Sequence, residues 1–320
     1  MSRGYLVGKI FHALVTIGAI LVLNFALFRI LPGDPVRTLL PRGIPAEQIA
    51  ATRVHLGLDQ PLFPNQFVSY GLATLSGDFG FSFQYRIPVA TLLTQRAGPT
   101  VLLVGSASLL AILVGIVVGT IAGGRRGGLF DDLTVGTSLV LYALPVFWLG
   151  MIAIMIFGPL GFPINGMLTP GFTPPDALAG LGDGAAHLFM PALVLAVGLI
   201  GQYALFMRSA LVDVMTEDYI ETARAKGLRE EQVVVRHAVR NALLPTITLI
   251  GINLGIIFAG AITLEDVFGW PGLGSLIVTS VASRDYPVLE GTFLLIAVTV
   301  VGANLIADVV YGLLDPRVRG

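Results

Sequence analysis

The segment MTEDYIETARAKGLREEQVVVRHAVRNALLP, from Met215 to Pro245, is densely charged inside a chain that is otherwise mostly apolar. Between Arg208 and Leu244 lie 12 of the chain's 39 Asp, Glu, Lys and Arg residues. One long apolar run precedes the segment and another follows it. This pattern predicts a long polar loop, 208–245, between two apolar helices.

The first half of the loop predicts a short helix. Thr216 is suited to cap it, because its hydroxyl can accept a free first-turn N–H, and Glu217 and Asp218 match the positive end of the helix dipole. Gly227 follows where helices commonly end in a left-handed conformation. The last turn carries the basic residues Arg224 and Lys226.

The second half predicts another short helix of the same design. Glu230 and Glu231 open it, and Arg236 and Arg240 come late. Pro245 is expected to break or kink the chain before the next apolar run.

One face of the first helix suits a protein partner. Tyr219, Ala223 and Gly227 are four residues apart and therefore share a face, which Ile220 flanks. Small side chains there would let another surface approach, and charges surround them: Glu221, Arg224 and Lys226. The alternative is a solvated connector, but the predicted caps and the length of the loop count against it.

The composition places the chain in a membrane. Hydrophobic residues make up 55% of it, charged residues only 12%, and the mean hydropathy is +0.84; soluble domains carry about 25% charged residues. The net charge of −1 implies no attraction to nucleic acid. The absence of cysteine excludes disulfides and thiol chemistry.

Six apolar stretches are long enough to cross about 30 Å of hydrocarbon as helices. The first is too long for a cleaved signal peptide, so we expect a retained signal anchor. Short loops on the side of the N-terminus hold most of the Lys and Arg residues, which predicts that both termini are cytoplasmic. The six stretches are Ile10–Leu31, Thr100–Ala122, Leu133–Phe157, Leu188–Met207, Thr246–Leu264 and Gly291–Leu314.

An external segment, Pro32–Pro99, follows the first span. Its turn-forming residues separate two possible short amphipathic helices, Ala46–Leu56 and Gln66–Leu75. It is either a small cap on the membrane surface or a docking surface for an external partner.

Small and polar residues mark the spans themselves. Glycines one turn apart in the second and fifth spans predict close helix packing. Asp308 is the clearest carboxylate within a span, and Asn24 is a polar residue inside the first. We expect a structural role for Asp308 in preference to a proton or ion site. The glycines are Gly115, Gly119, Gly123, Gly251 and Gly255.

The sequence contains no recognisable catalytic site. Its two lysines, Lys9 and Lys226, lie outside any phosphate-binding P-loop motif, its four histidines lack metal-ligand spacing, and no Gly-x-Ser-x-Gly elbow occurs. The chain is therefore predicted to be neither an ATPase nor another enzyme.

The loop resembles the cytoplasmic EAA loop of binding-protein-dependent ABC importer permeases, through ETARAKG and the later LLP. The motifs LPGDPVRTLL, HLGLDQPL, SGDFGFSF, IPVATLL, RNALLP, VFGWPGLG, RDYPV and DVVYGLLDPRVR are similar to the dipeptide/oligopeptide branch, and they cover most of the chain in family order. The chain is identified as a member of that branch, of the DppB/OppB type. Two departures are Thr222 at the second motif position and a long interval from Gly227 to Pro245.

The resemblance implies an all-α type I importer permease fold with six transmembrane helices. Its regions would be an anchor helix at 1–31, an extracytoplasmic loop region at 32–99, a five-helix core at 100–314 and a cytoplasmic tail at 315–320. The family's coupling positions carry over onto Glu221, Ala223 and Gly227. The candidate coupling residues of helix 217–227 are Tyr219, Ile220, Glu221, Ala223, Arg224, Ala225, Lys226 and Gly227.

The resemblance also implies the partners and the setting. These are a second homologous permease, two cytoplasmic ATPase subunits that bind ATP and Mg, an extracytoplasmic solute-binding protein, and the lipid of a bacterial inner membrane. No cofactor is expected in this chain. The cargo would be di- or oligopeptides, with nickel, glutathione or another small solute as alternatives. A stand-alone channel or ion-coupled carrier is disfavoured, because few ionisable groups lie within the spans.

Overall fold

The computed structural model describes residues 3–30, 47 and 59–314, and these residues form helices and no strand. This confirms the prediction of an all-α chain. The helices are α1 (Arg3–Ile30), α2 (Phe67–Leu75), α3 (Val89–Gly124), α4 (Leu129–Ala143), α5 (Val146–Phe157), α6 (Ala177–Val214), α7 (Asp218–Ala225), α8 (Glu230–Val233), α9 (Val239–Val267), α10 (Leu273–Ser283) and α11 (Tyr286–Leu314).

The long helices coincide with the predicted spans. In the described part of the chain, four helices, α1, α3, α6 and α11, are long and apolar enough to cross a membrane, and the bent pair α4–α5 makes up to five. The helix α9 covers the predicted fifth span. The count of six spans therefore remains a prediction.

The third predicted span is sharply bent. The prediction of one helix over Leu133–Phe157 is wrong, because α4 and α5 meet at 99°. Leu144 is extended, with φ −87° and ψ 129°, and Pro145 follows it. Proline clashes with a helical residue before it and lacks the N–H that would continue the ladder, so the helix stops here.

Close packing of α3 against α6 forms the centre of the molecule. A Cβ atom placed on Gly115 would lie 2.5 Å from Tyr203 Cβ, and one on Gly123 would lie 3.0 Å from Leu211 Cδ2. A Cβ on Gly119, between them, would meet Ala204 and Met207. The predicted close approach is thus confirmed for these three glycines. Gly251 and Gly255 lie in a stretch of α9 whose packing falls outside the described part.

The first and last helices pack together along their length. Asn24 is buried, and its Nδ2 donates to Tyr70 Oη and to Glu290 O, each over 3.0 Å. At the opposite end Lys9 Nζ pairs with Asp308 Oδ2 at 2.8 Å. This ion pair agrees with a structural role for Asp308.

Three carboxylates outside the predicted spans are more deeply buried than Asp308. Its side chain is 41% exposed, whereas Asp131, Glu265 and Asp285 are at most 2% exposed. These three carboxylates lie near helix ends, where each ties distant parts of the chain together. Asp285, for example, accepts hydrogen bonds from the Ser82 hydroxyl and from two backbone N–H groups that follow Ser82.

The predicted external segment is described in part. Helix α2 confirms the expected helix at Gln66–Leu75, but Ala46–Leu56 lies outside the described residues apart from Glu47. The tail 315–320 also lies outside them. The external location of the segment remains a prediction.

Candidate functional site

Helix α7 lies in the charged loop and is shorter than predicted. It begins at Asp218 with Glu217 as its N-cap residue, and no side chain caps it. The predicted Thr216 cap is wrong, because the Thr216 hydroxyl donates instead to Asp213 O, at the end of α6. At the other end Gly227 has φ +78°, which confirms the predicted left-handed termination.

The second half of the loop is continuous with the next long helix. The predicted separate helix is wrong, because α8 passes through a π-helical turn at Val234–Ala238 directly into α9. Of the predicted break or kink at Pro245, the break is wrong, since α9 runs through it from Val239 to Val267, and the kink remains a prediction.

One side of α7 is packed against its own chain. Ile220 is fully buried and Ala223 is 5% exposed. They share a hydrophobic cluster with residues of α6, α8, the π-helical turn and α9: Met207, Leu211, Val233, Val234, Ala238 and Ala242. We call this cluster the seat of α7.

The predicted partner-binding face therefore needs correction. Ala223 and Ile220 point into the seat, so Tyr219, Ala223 and Gly227 do not form one free face. At 100° per residue, the side opposite the seat is formed by other residues of the helix. They are Asp218, Glu221, Thr222 and Ala225, all exposed, and we call them the free face. Lys226 and Gly227 are exposed at its C-terminal end.

Two polar contacts hold α7 on the seat. Asn241 Nδ2 donates to Tyr219 Oη over 2.6 Å. Arg224 Nη2 donates to Glu230 Oε1 over 2.7 Å, and Arg224 Nε donates to Glu230 Oε2 over 3.2 Å. The paired Arg224 guanidinium lowers the pKa of Glu230, and the same pairing raises the pKa of Arg224. Helix α7 is thus attached to α8 and α9 as well as to α6.

An ion pair between the buried Asp131 and the half-buried Arg208 lies next to the seat and was missed by sequence reasoning. Arg208 Nε and Nη2 donate to the two carboxylate oxygens of Asp131, each over 2.8 Å, and Gly127 N also donates to this carboxylate. Arg208 follows Met207, which belongs to the seat. The pair therefore joins α4 to the part of α6 that carries α7. The partners are 77 positions apart in the chain, so no local spacing reveals the pair.

Two family models match the chain. Residues 115–320 match the model described as binding-protein-dependent transport system inner membrane component, and residues 1–104 match that of the N-terminal membrane component. The chain belongs to this family. It is a permease of the DppB-type branch of ABC peptide permeases, as the sequence motifs predicted.

Several relatives resemble the permease over almost its whole length. The dipeptide transport system permease protein DppB of Escherichia coli K12 is 38% identical over 94% of both chains. The di/tripeptide transport system permease protein DppB of Pseudomonas aeruginosa is 38% identical over 95% of both. The glutathione transport system permease protein GsiC of Escherichia coli K12 is 36% identical over 98% of both.

Family membership decides the class of protein. The relatives are transport permease subunits, which confirms the prediction of a transporter subunit rather than an enzyme. Together with its apolar helices, membership makes this chain a multi-pass membrane protein that works with other ABC transporter components. Permeases of the family carry no cofactor of their own.

Proposed function

We propose that this permease forms half of the translocation pathway of an ATP-driven importer, and that the free face of α7 docks on a cytoplasmic ATPase subunit. The supporting observation is the two-sided character of α7. Ile220 and Ala223 fasten it to its own chain, while the opposite side exposes small and charged side chains around Ala225. A helix fastened on one side and free on the other can transmit a push from a partner.

The seat directs that push into the long helices. Because Ile220 and Ala223 share one hydrophobic cluster with residues of both α6 and α9, a displacement of α7 moves the ends of both helices together. The Asp131–Arg208 pair carries the movement from α6 to α4, and the glycines of α3 pack directly behind the seat. The coupling is a rigid-body movement and requires no covalent chemistry in this chain.

The proposed complex follows from this role. The permease has six spans, with both termini and the loop 208–245 on the cytoplasmic side of a bacterial inner membrane. Its regions are the anchor 1–31, the external region 32–99, the core 100–314 and the tail 315–320. It pairs with a second homologous permease, two ATPase subunits that bind ATP and Mg, and an external solute-binding protein. The positions of Lys and Arg support this orientation.

The proposed cargo is a di- or oligopeptide. Relatives named for dipeptide and di/tripeptide transport support this choice, and one named for glutathione, itself a small peptide-like solute, supports glutathione as the alternative. Nickel is a further alternative from the branch resemblance. Identifying the ligand of the partner solute-binding protein separates these alternatives.

Docking is tested by substitution in the free face. Ala225→Trp adds bulk at an exposed position, so we expect normal membrane insertion, loss of the co-purifying ATPase and loss of uptake. Ala225→Ser is the matched control and should keep both. Retention of the ATPase and of normal uptake by the tryptophan variant contradicts the docking role. Gly227→Trp is a poorer test, because the left-handed backbone at Gly227 would itself be strained.

A further inference from the structure

Helix α2 and the turn before it carry an exposed apolar surface. Val68, Leu72 and Leu75 are 50%, 64% and 81% exposed, and their spacing of four and three residues places them in one stripe. Phe63, in the preceding turn, is 74% exposed. We call Val68, Leu72 and Leu75 the α2 stripe. An apolar side chain that faces water lacks the stabilisation that burial away from water would provide.

The rest of α2 is fixed to the first membrane helix. The Phe67 ring meets the Phe25 ring edge-on with centroids 5.2 Å apart, and the Tyr70 ring lies 5.4 Å from the same ring. Tyr70 Oη also accepts the hydrogen bond from Asn24. The contacts fix α2 in position, so the direction of its stripe is a property of the fold.

The point of attachment lies inside the membrane helices. Asn24 is four residues before Phe28, where the candidate span Val7–Phe28 ends, which corresponds to a depth of about 6 Å along the helix. Asn24 also donates to Glu290 O, and Glu290 is four residues inside the span that starts at Tyr286. Two spans therefore place the attachment at the same depth, one turn below their ends.

The composition around α2 suits lipid. From Gln60 to Gly77 the chain contains no Asp, Glu, Lys, Arg or His, and Asp59 and Asp78 flank this run. Surface helices in water normally carry many charges. The outer half of α1 also exposes Leu23 and Leu27, on the side of the helix opposite Phe25, as expected for a helix surrounded by acyl chains.

We propose that α2 is an interfacial helix that lies in the membrane, with Val68, Leu72 and Leu75 against the acyl chains of the adjacent leaflet. Interfacial helices bury their apolar face about 5–10 Å into the boundary between headgroups and acyl chains, which matches the depth of the attachment. The helix thereby anchors the segment between the first and second spans to the bilayer. Its partner is lipid, in preference to another protein subunit.

Site-directed spin labelling tests this proposal directly. The chain has no cysteine, so a single introduced cysteine carries the only nitroxide label on this subunit. Full-length Leu72→Cys and Val68→Cys variants, co-expressed with their partner subunits and reconstituted in phosphatidylethanolamine/phosphatidylglycerol liposomes, are compared by power-saturation EPR. Collisions with lipid-soluble O₂ should exceed those with a water-soluble nickel chelate several-fold. Ser69→Cys is the matched control, because it lies about 90° around the helix from the stripe, and its ratio should be lower.

Two results would overturn the assignment to lipid. Labels in the stripe that collide mainly with the nickel chelate would place α2 in water. Labels shielded from both reagents would show that another protein covers the stripe. Using two positions in the stripe guards against a local distortion at either one.

Discussion

The two ends of helix α9 differ in how they are held: apolar contacts dominate at its start, and buried hydrogen bonds dominate at its end. At the start, the seat holds α7 by apolar contacts and leaves the free face of the helix exposed. At the end, Glu265 is fully buried and accepts hydrogen bonds from Thr100 Oγ1 and Gly274 N, each over 2.6 Å, and from Ser275 N over 3.2 Å. The first end suits presentation to a partner, and the second fixes α9 to α10 and α3.

At the Glu265 end of α9, the buried carboxylate accepts hydrogen bonds from backbone N–H groups of α10. The carboxylate takes the place of a cap on α10, because Gly274 and Ser275 lie in the first turn of that helix, where backbone N–H groups lack partners within the helix. Trp270 is fully buried beside it, and its Nε1 donates to Pro99 O over 2.9 Å. We expect substitutions at this end of α9 to lower the stability of the chain most.

The largest loss of stability is therefore expected for Glu265→Ala. The substitution leaves buried donors without acceptors, at about 1–3 kcal/mol each, so the free energy of unfolding should fall by about 3 kcal/mol or more. Glu265→Gln keeps one acceptor oxygen and should lose less. Thermal unfolding of the purified permease in detergent measures both. Equal midpoints for the alanine variant and the parent would show that the network contributes nothing.

Overfilling the seat should have an intermediate effect. Ala223→Leu inserts extra methylene groups between α7 and the residues of α6 and α9, which typically costs about 1–3 kcal/mol. Ala225→Leu, two residues away on the free face, should change stability by about 0.5 kcal/mol or less. The same unfolding experiment compares the pair. If Ala225→Leu destabilised the chain more than Ala223→Leu, the two sides of α7 would have been assigned the wrong way round.

The smallest effect is expected at the exposed ion pair. Arg224 and Glu230 side chains are 42% and 54% exposed, so solvent screens them, and Arg224→Gln should cost only about 0.2–1 kcal/mol. The pairing lowers the pKa of Glu230 below its ordinary 4.5, so its contribution is present above that value and is lost as pH falls through the lower pKa of the folded chain. The parent and Arg224→Gln should therefore converge in stability on acidification. A difference that persists at acidic pH contradicts this electrostatic origin.

Features encoded by local sequence were predictable. Long apolar runs predicted the helices, glycines one turn apart predicted the contact between α3 and α6, and Gly227 predicted where α7 ends. The motifs predicted the family. Each of these depends on residues close together in the chain.

Features that depend on distant partners were not predictable. The seat decides which side of α7 faces its own chain, and its residues come both from before α7, at Met207 and Leu211, and from after it, in α8, the π-helical turn and α9. Likewise, Asp131 and Glu265 find their partners 77 and 165 residues away along the chain. Pro145 itself was a local signal for the bend between α4 and α5, but the uninterrupted apolar run around it favoured the prediction of a single span.

Thiol labelling at α7 tests the assignment of its free face most directly. In inside-out vesicles, an Ala225→Cys variant should react readily with a membrane-impermeant maleimide when the ATPase subunits are absent. Adding those subunits should protect it, whereas Ala223→Cys, covered by the seat, should react slowly under both conditions. Docking of the free face on a cytoplasmic ATPase would be contradicted if Ala225→Cys reacted equally with and without the ATPase, or if it reacted only in right-side-out vesicles.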